Sequence, residues 1–327
     1  MAIVQGGPST EAEVSRASAA GVAGALVAAG HVPVRLELDA FTAESLRADG
    51  YDVVFPLAHG AVGEDGSLQG LLEVLDLPYV GSGVLASALA MHKRMARLVF
   101  AAAGLPVAPA VVAARGEPSR AVAERALREL GPAVVVKPSS QGSAIGVSRL
   151  EAGSTIDEIV RAIDDVWAID EFVLVERLAR GREITCGVLD LDSAVALDPT
   201  EILAPRDPFY TYEARYEPGR SVHQCPAGLP APVLALVQKM ALEAHAALGC
   251  RDLSRVDFVV GGDDAGEGQE RVTLLEVNTL PGMTRTSLYP EAAAVAGLKM
   301  PDLCDRLVTR AWLRGPSARH RARAMPH

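Results

Sequence analysis

The chain has 327 residues, 49% of them apolar, and a formal net charge of -10. This length and composition allow two or three compact units with substantial cores. The negative charge argues against sequence-independent binding of nucleic acid or of an anionic membrane, so we expect small-molecule partners, with no nucleic acid and no membrane.

The cysteines and the N-terminal region predict a cytoplasmic protein. The four cysteines are scattered without a C-x-x-C pair, which favours reduced thiols over disulfides or a zinc site. MAIVQGG has neither a basic segment nor a long apolar run, so no export signal is expected. The alanine-rich segment 14–29 is interrupted by serine, arginine and glycine and predicts a packed helix, not a membrane span.

Residues 1–90 alternate predicted strands and helices. Strands are predicted at 2–5, 32–36 and 52–56, and the helix at 14–29 connects the first two. This alternation is typical of a small parallel α/β unit.

A glycine-rich segment follows in YVGSGVLASA. Here Gly81, Gly83 and Ala86 match the short dinucleotide-binding fingerprint. That fingerprint also requires an acidic residue about 20 positions further on, and the next acid is Glu117. The sequence therefore disfavours a dinucleotide-dependent oxidoreductase and predicts a strand, a turn and the start of a helix.

The rest of the chain predicts two further α+β units. The first begins with a helix from Met91 and continues with a valine-rich strand at 133–138 and a helix at 156–166. The last part has strands VLVE and EITCGVL, a polar aromatic loop, a helix at 232–248, and strands RVDFVV and RVTLLEV joined by the turn-rich GGDDAGEGQE. The basic tail SARHRARAMPH lacks an apolar period and predicts a frayed end.

The two final strands carry polar groups at alternate positions. Arg255 and Asp257 project from one face of the first strand, and Glu276 and Asn278 from one face of the second. If the strands pair as a hairpin, Asp257, Glu276 and Asn278 form an all-oxygen cluster, which suits Mg²⁺ far better than zinc. The alternative is a surface salt-bridge ladder, to which Asn278 would add nothing.

A candidate phosphate site lies in VVVKPSSQGSAIGVS. Lys137 ends a strand, and the following loop contains Gly142, Ser143 and Gly146. Small residues allow backbone N–H groups to approach phosphate oxygens, and the lysine adds a positive charge. Lys93 could add a second charge. The alternative is a simple turn between strands and a solvated lysine.

Further polar groups stand near the ends of the N-terminal strands. Glu11 lies in GGPSTEAEVS, and His59, Glu64 and Asp65 lie in LAHGAVGEDGSLQG. Helix capping explains part of the first motif, and a satisfied turn histidine is the alternative for the second. The loop FYTYEARYEPG concentrates aromatic residues in a chain with few of them, which predicts a lid that excludes water.

Together these motifs resemble the D-alanine–D-alanine ligases of the ATP-grasp superfamily, in the same order along nearly the whole chain. The matching segments are GGPSTEAEVS, HGAVGEDGSLQG, PYVGSGVLASALA, KPSSQGSAIGVS, FYTYEARY, RVDF and LEVNTLPGMTRTSLYP. The resemblance implies an α/β chain of three α+β domains with the ATP-grasp fold. These would be a Rossmann-like N-terminal domain (1–90), a central domain (91–178) and a C-terminal catalytic domain (179–315), followed by a disordered tail (316–327).

The resemblance also implies a reaction. In the family, ATP phosphorylates the carboxylate of one D-alanine, and the amine of a second attacks the acylphosphate with loss of phosphate. The product enters peptidoglycan precursor synthesis, hence cell-wall biogenesis and cell shape. Two Mg²⁺ ions are implied, with Mn²⁺ as an alternative, and so is a homodimer.

The motif positions assign roles to individual residues. The resemblance implies a catalytic set of Glu11, Ser143, Tyr216 and Arg255, and a substrate-binding set of Glu11, His59, Gly282, Ser287 and Leu288. It implies ATP binding by Lys93, Lys137, Gly142, Ser143, Glu176, Glu183 and Arg215, and metal binding by Asp257, Glu276 and Asn278.

Three residues depart from the family pattern. His92 replaces a usual aspartate, which changes the charge near the phosphates. Arg215 replaces a usual lysine, which affects closure of the lid. Ala144 replaces a usual serine, which removes one potential hydrogen bond. The YEARY segment favours an amine acceptor over D-lactate, while D-serine or another amino acid stays open. A nucleotide-binding sensor without catalysis is a further alternative, but the residues assigned to chemistry are retained.

Overall fold

The computed structural model describes residues 1–203, 221–261 and 271–316. This part of the chain forms three β-sheets, each covered by helices, and the sheets follow one another along the sequence. The first sheet is parallel and the other two are antiparallel.

The N-terminal sheet is the predicted small parallel α/β unit. Its strands β1 (Ala2–Gln5), β2 (Val34–Glu37) and β3 (Val54–Pro56) pair in the order β2-β1-β3. Its helices are α1 (Ala12–Ala28), α2 (Thr42–Ala48) and α3 (Ser67–Val74). Because β1 and β3 are parallel neighbours, the segments that leave their carboxyl ends emerge at the same edge of the sheet. The two polar motifs of this unit, GGPSTEAEVS and LAHGAVGEDGSLQG, therefore begin at that edge.

The connection to the next sheet consists of two helices, near the helix start predicted in YVGSGVLASA and the helix predicted from Met91. Helix α4 (Val84–Met91) ends before His92, whose φ of -96° and ψ of 87° are not helical, and α5 (Lys93–Ala102) begins immediately after it. The backbone N–H of Lys93 donates to Ser139 O at 2.7 Å. The break therefore anchors the start of α5 to the loop after β5 (Val134–Pro138).

The central sheet has four antiparallel strands. They are β4 (Ala110–Ala114), β5, β6 (Ser148–Leu150) and β7 (Phe172–Arg177), in the order β4-β7-β5-β6. Helices α6 (Ser119–Leu130) and α7 (Ile156–Ile169) pack on it, and a capping box between Thr155 and Glu158 fixes the start of α7. The predicted strand at 133–138 and helix at 156–166 are thus found with small shifts at their ends.

The C-terminal sheet has six strands, ordered β11-β10-β8-β12-β13 with β9 beside β8. Their bounds are β8 (Arg182–Asp190), β9 (Ala194–Ala196), β10 (Thr200–Leu203), β11 (Val222–Gln224), β12 (Asp252–Val260) and β13 (Val272–Asn278). The helices here are α8 (Ala231–Leu248), α9 (Leu288–Val295) and α10 (Met300–Arg314). β12 and β13 pair antiparallel with Asp257 opposite Glu276 and Arg255 opposite Asn278, as the hairpin prediction requires.

Some of the buried apolar cores contain residues from more than one unit. One apolar cluster joins α1 and β1 to α9 and α10, so the N-terminal unit packs directly on the C-terminal helices. Ala96 and Phe100 of α5 belong to the core under the C-terminal sheet, whereas the central sheet has a separate core with α6 and α7. Within the described ranges, no helix combines the length and apolar character needed to span a membrane.

A buried ion pair ties the end of α10 to the N-terminal unit. Asp252 is 1% exposed and accepts from both terminal nitrogens of Arg314 and from the backbone N–H of Gly81 at 2.8 Å. Arg314 also donates to Tyr79 O at 2.7 Å. The guanidinium thus compensates a carboxylate that has little access to water.

Replacing Arg314 by Met should destabilise the fold by about 3 to 5 kcal/mol, because Asp252 would stay buried without its counter-charge. Urea unfolding measures the change. Arg306→Met is the matched control, since Arg306 is exposed on the same helix, and it should leave the transition nearly unchanged. Equal transitions for both variants would refute this role of the ion pair.

Candidate functional site

Two adjoining cavities lie where the three units meet. The larger has a volume of about 470 Å³ and is bounded by the N-terminal unit, the loop after β5 and the end of β13. The smaller, of about 170 Å³, lies between the central and C-terminal sheets. Both are lined by Lys93, Gly142, Ser143 and Glu276, so these residues form their common boundary.

The smaller cavity contains buried charges. Lys137 Nζ lies 2.7 Å from Glu176 Oε2, and Arg97 Nη1 donates to Glu176 Oε1 at 2.8 Å. Glu183 also lines this cavity, together with apolar side chains of both sheets. All the described residues assigned to ATP binding therefore line one cavity, and Arg215 lies outside the described residues.

The loop between β5 and β6 lies at the boundary of the two cavities. Ser143 and Ala144 have φ values of 48° and 58°, the left-handed region that non-glycine residues rarely adopt. Residues held in this conformation cluster at ligand sites, and successive N–H groups of such turns bind anions. Lys93 Nζ donates to Gln141 O at 2.6 Å, which fixes the lysine against this loop.

His92, the departure next to Lys93, bonds to the base of the same loop. Its Nδ1 lies 2.9 Å from Ser139 Oγ, and its ring is tilted against Phe172 at 6.3 Å between centroids. The loop thus retains a polar partner at the position where the family usually has aspartate.

The paired strands bring the four predicted polar residues together. Asp257 accepts from Arg255 Nε and Nη2, both at 2.9 Å, from Asn278 Nδ2 at 3.1 Å and from Thr185 Oγ1 at 2.6 Å. Glu276 Oε2 lies 3.3 Å from Lys93 Nζ. The cluster is more than a surface ladder, because the side chains of Arg255 and Asp257 are only 11% and 14% exposed.

This donor set fits a hard divalent cation. Two carboxylates and one amide supply only oxygen ligands, the kind that Mg²⁺ prefers. No group of three or more His, Cys, Asp or Glu side chains able to hold a metal occurs in the described part of the chain. An ion here would consequently need Asn278 and oxygens from a bound substrate to complete its coordination.

Glu11 lies on the N-terminal side of the larger cavity. It is 7% exposed and accepts a hydrogen bond from Ser143 Oγ, across the interface with the central unit. A Cβ at Gly60 or Gly142 would lie 3.0 Å from Glu11 Oε2, so both glycines allow the close approach of the backbone. Glu11 thus contacts Ser143, another residue of the predicted catalytic set. Tyr216, also of that set, lies outside the described residues.

His59 is buried between two polar partners. Its Nδ1 lies 3.5 Å from Glu64 Oε1 and its Nε2 3.4 Å from Ser18 Oγ. Burial lowers the pKa of His59, but the hydrogen bond and charge of Glu64, with the charge of Glu11, outweigh it. The charge of Arg255 opposes them, and the pKa ends above its ordinary value. The site thereby favours the protonated ring.

The segment after β13 forms the far wall of the larger cavity. Gly282, Ser287 and Leu288 all line it, as predicted. Ser287 Oγ lies 2.7 Å from Thr284 Oγ1 and accepts from Thr284 N at 3.0 Å. Since α9 begins directly after Ser287, the positive end of a helix lies at this wall and favours a carboxylate.

Two residues that contact this site were missed by the sequence reasoning. Ser18 joins His59 to the backbone N–H of Met283, which donates to Ser18 Oγ at 3.4 Å. Nothing in the alanine-rich helix distinguishes this serine, because its role depends on packing against a distant segment. Thr284 stands inside the motif PGMTRTS, and its three-residue spacing from Ser287 was an available signal.

Comparison with known proteins identifies the family. Models described as the D-ala D-ala ligase C-terminus and N-terminus match residues 99–309 and 35–82. A D-alanine–D-alanine ligase from Geotalea uraniireducens is 42% identical over 95% of this chain and 95% of its own. The chain belongs to the D-alanine–D-alanine ligase family. The predicted family and enzyme class are thus confirmed.

Solved structures of the D-alanine–D-alanine ligase family share the fold. The ligase from Coxiella burnetii has a TM-score of 0.81 and 30% identity, covering 96% of this chain and 93% of its own. A ligase from Bacillus anthracis, solved in complex with ATP, has a TM-score of 0.79 and 28% identity, covering 96% and 97%. The α/β, ATP-grasp fold class predicted from the sequence is therefore confirmed.

Replacing Glu64 by Gln should lower the pKa of His59, because burial remains while the charged acceptor is lost. NMR titration of the histidine ring measures this, with Glu13→Gln, an exposed acid on the same cavity, as the control. Since the folded pKa is raised, protonated His59 stabilises the fold fully below about pH 6.5, and the contribution disappears as pH rises through the folded pKa. An unchanged His59 pKa in Glu64→Gln would exclude Glu64 as the cause.

Proposed function

We propose that this protein joins two D-alanine molecules into D-alanyl-D-alanine, using ATP and releasing ADP and phosphate, for peptidoglycan precursor synthesis. The observation that carries the proposal is the shared boundary of the two cavities. A nucleotide in the smaller one and amino acids in the larger one would meet at Lys93, the Gly142–Ser143 loop and Glu276.

ATP occupies the smaller cavity in this proposal. Lys137 and Lys93 contact its phosphates together with the N–H groups of the loop at Gly142 and Ser143, and Glu176 and Glu183 accept hydrogen bonds from adenine and ribose. Arg215 is assigned to the same nucleotide by its motif alone. The positions of the described residues around one cavity support this arrangement.

Asp257, Glu276 and Asn278 would hold Mg²⁺, with Mn²⁺ as an alternative. Mg²⁺ supplies charge neutralisation for the crowded phosphate oxygens. Arg255 and the amide of Asn278 contact Asp257, and Lys93 contacts Glu276, so each carboxylate has a donor group beside it.

The first D-alanine lies between the N-terminal unit and the paired strands. Buried Glu11 accepts hydrogen bonds from its ammonium group, and His59, whose pKa is raised, lies close to its carboxylate. Phosphorylation makes this carboxylate a better electrophile, since phosphate is a far better leaving group than oxide. Ser143, bonded to Glu11, and Tyr216 of the lid complete a set that links the three parts of the site.

The second D-alanine lies against the segment after β13. Its carboxylate is received by Ser287 and Leu288 at the start of α9, which directs its amine toward the acylphosphate. Arg255 and the backbone N–H of Gly282 stabilise the negative oxygen of the tetrahedral intermediate. Water must be excluded at this stage, because it would hydrolyse the acylphosphate.

The remaining predictions belong to this proposal. We propose domain boundaries at residues 90 and 178, which lie near the ends of α4 and β7, and the four free thiols support a reducing cytoplasm. We also propose a homodimer by the family resemblance. A ligase with D-serine as acceptor is the second candidate, since an apolar pocket rejects one added hydroxyl only weakly.

Purified protein with ATP and Mg²⁺ should release phosphate with D-alanine alone, and mass spectrometry should identify D-alanyl-D-alanine. L-alanine and D-lactate should give no comparable turnover. L-alanine has the wrong stereochemistry for the site, and D-lactate lacks the amine that attacks the acylphosphate. D-serine mixed with D-alanine tests the second candidate by the mass of the mixed dipeptide. Binding of ATP without dipeptide from any of these substrates would refute the proposed function.

Replacing Glu276 by Gln should raise the Mg²⁺ concentration for half-maximal activity by at least about tenfold, the lower range seen for supporting partners of metal ligands. The reason is the loss of one anionic oxygen ligand. Steady-state rates at varied Mg²⁺ and saturating substrates measure the shift. Glu243→Gln, an exposed acid on α8, is the control, and an unchanged Mg²⁺ dependence in Glu276→Gln would remove Glu276 from the metal site.

A further inference from the structure

We propose that Arg97 is a positioning residue for ATP binding, a role that rests on the nucleotide site of the proposed function. Arg97 pairs with Glu176 from outside the smaller cavity, and this leaves the charge of Lys137 available to the phosphates. Arg97 acts through Glu176 and Lys137, not by touching the nucleotide.

The contacts form a buried chain of three charges. Arg97 Nη1 lies 2.8 Å from Glu176 Oε1, and Lys137 Nζ lies 2.7 Å from the other oxygen, Oε2. The side chains of Arg97, Glu176 and Lys137 are 13%, 6% and 10% exposed. Glu176 and Lys137 line the smaller cavity and Arg97 does not, so Arg97 stands behind the two residues assigned to ATP.

The charge balance of these three side chains explains how Arg97 affects ATP binding. Lys137 and Glu176 alone would sum to zero, and a neutral pair attracts a polyphosphate weakly. With Arg97 the three groups sum to one positive charge. Because the groups are shielded from water, their interaction with phosphates is much less screened than at a surface. The third charge therefore offsets Glu176 and restores the positive potential that Lys137 provides.

The fold positions Arg97 rigidly. Arg97 and Lys93 are four residues apart on α5, so they lie on the same face of the helix, one turn apart. A second terminal nitrogen of Arg97 donates to Ala108 O, in the segment before β4, which also lines the smaller cavity. One helix face thus supplies a cation at the cavity boundary and a second one behind Glu176.

A purely structural role makes a different prediction. If Arg97 only fixed α5 through the carbonyl of Ala108, its loss would reduce stability and would affect both substrates together. The electrostatic role affects ATP alone and depends on the positive charge at this position. Loss of Arg97 leaves Glu176 paired with Lys137, so no buried charge becomes unpaired and the variants should fold.

Binding of ATP in the absence of D-alanine, measured by isothermal titration calorimetry, tests the role directly. Arg97→Met and Arg97→Gln should raise the dissociation constant of ATP about tenfold, the scale for removing one partly buried charge beside the site. Arg97→Lys should retain affinity near that of the unmodified protein. Arg94→Met is the control, since Arg94 carries the same charge on the same helix but stacks over Phe172 at 4.6 Å.

Steady-state kinetics add a second measurement. The KM for ATP should rise in Arg97→Met and Arg97→Gln while the KM for D-alanine stays unchanged. Unchanged ATP affinity in both variants, equal losses in Arg94→Met, or an Arg97→Lys as weak as Arg97→Met would each overturn the proposal. Because ATP binding is measured without turnover, a protein that binds ATP but forms no dipeptide would refute the proposed function and leave this comparison intact.

Discussion

The pairing of β12 with β13 is the constraint on which the site depends. Its register sets Asp257 opposite Glu276 and Arg255 opposite Asn278, and β8 supports β12 from the other side. A shift of β13 by one residue would turn Glu276 and Asn278 to the opposite face of the sheet. Val256 and Val277, which alternate with the polar residues, are buried in the core below, so burial and chemistry require the same register.

The site is assembled from all three units. Lys93 illustrates this, because its backbone bonds to Ser139 of the central unit while its side chain contacts Gln141 O and Glu276. Glu11 of the N-terminal unit meets Ser143 of the central unit in the same way. Movement of the central or C-terminal unit would consequently alter both cavities, and movement of the N-terminal unit would alter the larger one. This coupling suits a reaction that must exclude water while two substrates meet.

The two cavities contain positively charged side chains, although the net charge of the chain is negative. The chain as a whole has a charge of -10, yet Lys93, Lys137 and Arg255 line the two cavities. Each of them contacts a carboxylate or a carbonyl oxygen, so every one of these positive charges has an acceptor beside it. Anionic substrates can then be bound by exchange of partners, without a large cost of leaving isolated charges buried.

The sequence by itself determined many of the strands, some of the helices and the residues of the charged motifs, because alternation, glycine loops and motif order are local properties. It did not reveal β4, β9, β10 or β11. Asp257, Glu276 and Asn278 could be grouped in advance, since a hairpin brings them together by pairing alone. Only the tertiary structure decided that α5 packs under the C-terminal sheet. It also revealed Ser18 and Arg97, whose partners lie 41 and 79 residues away, because such contacts arise from packing between distant segments.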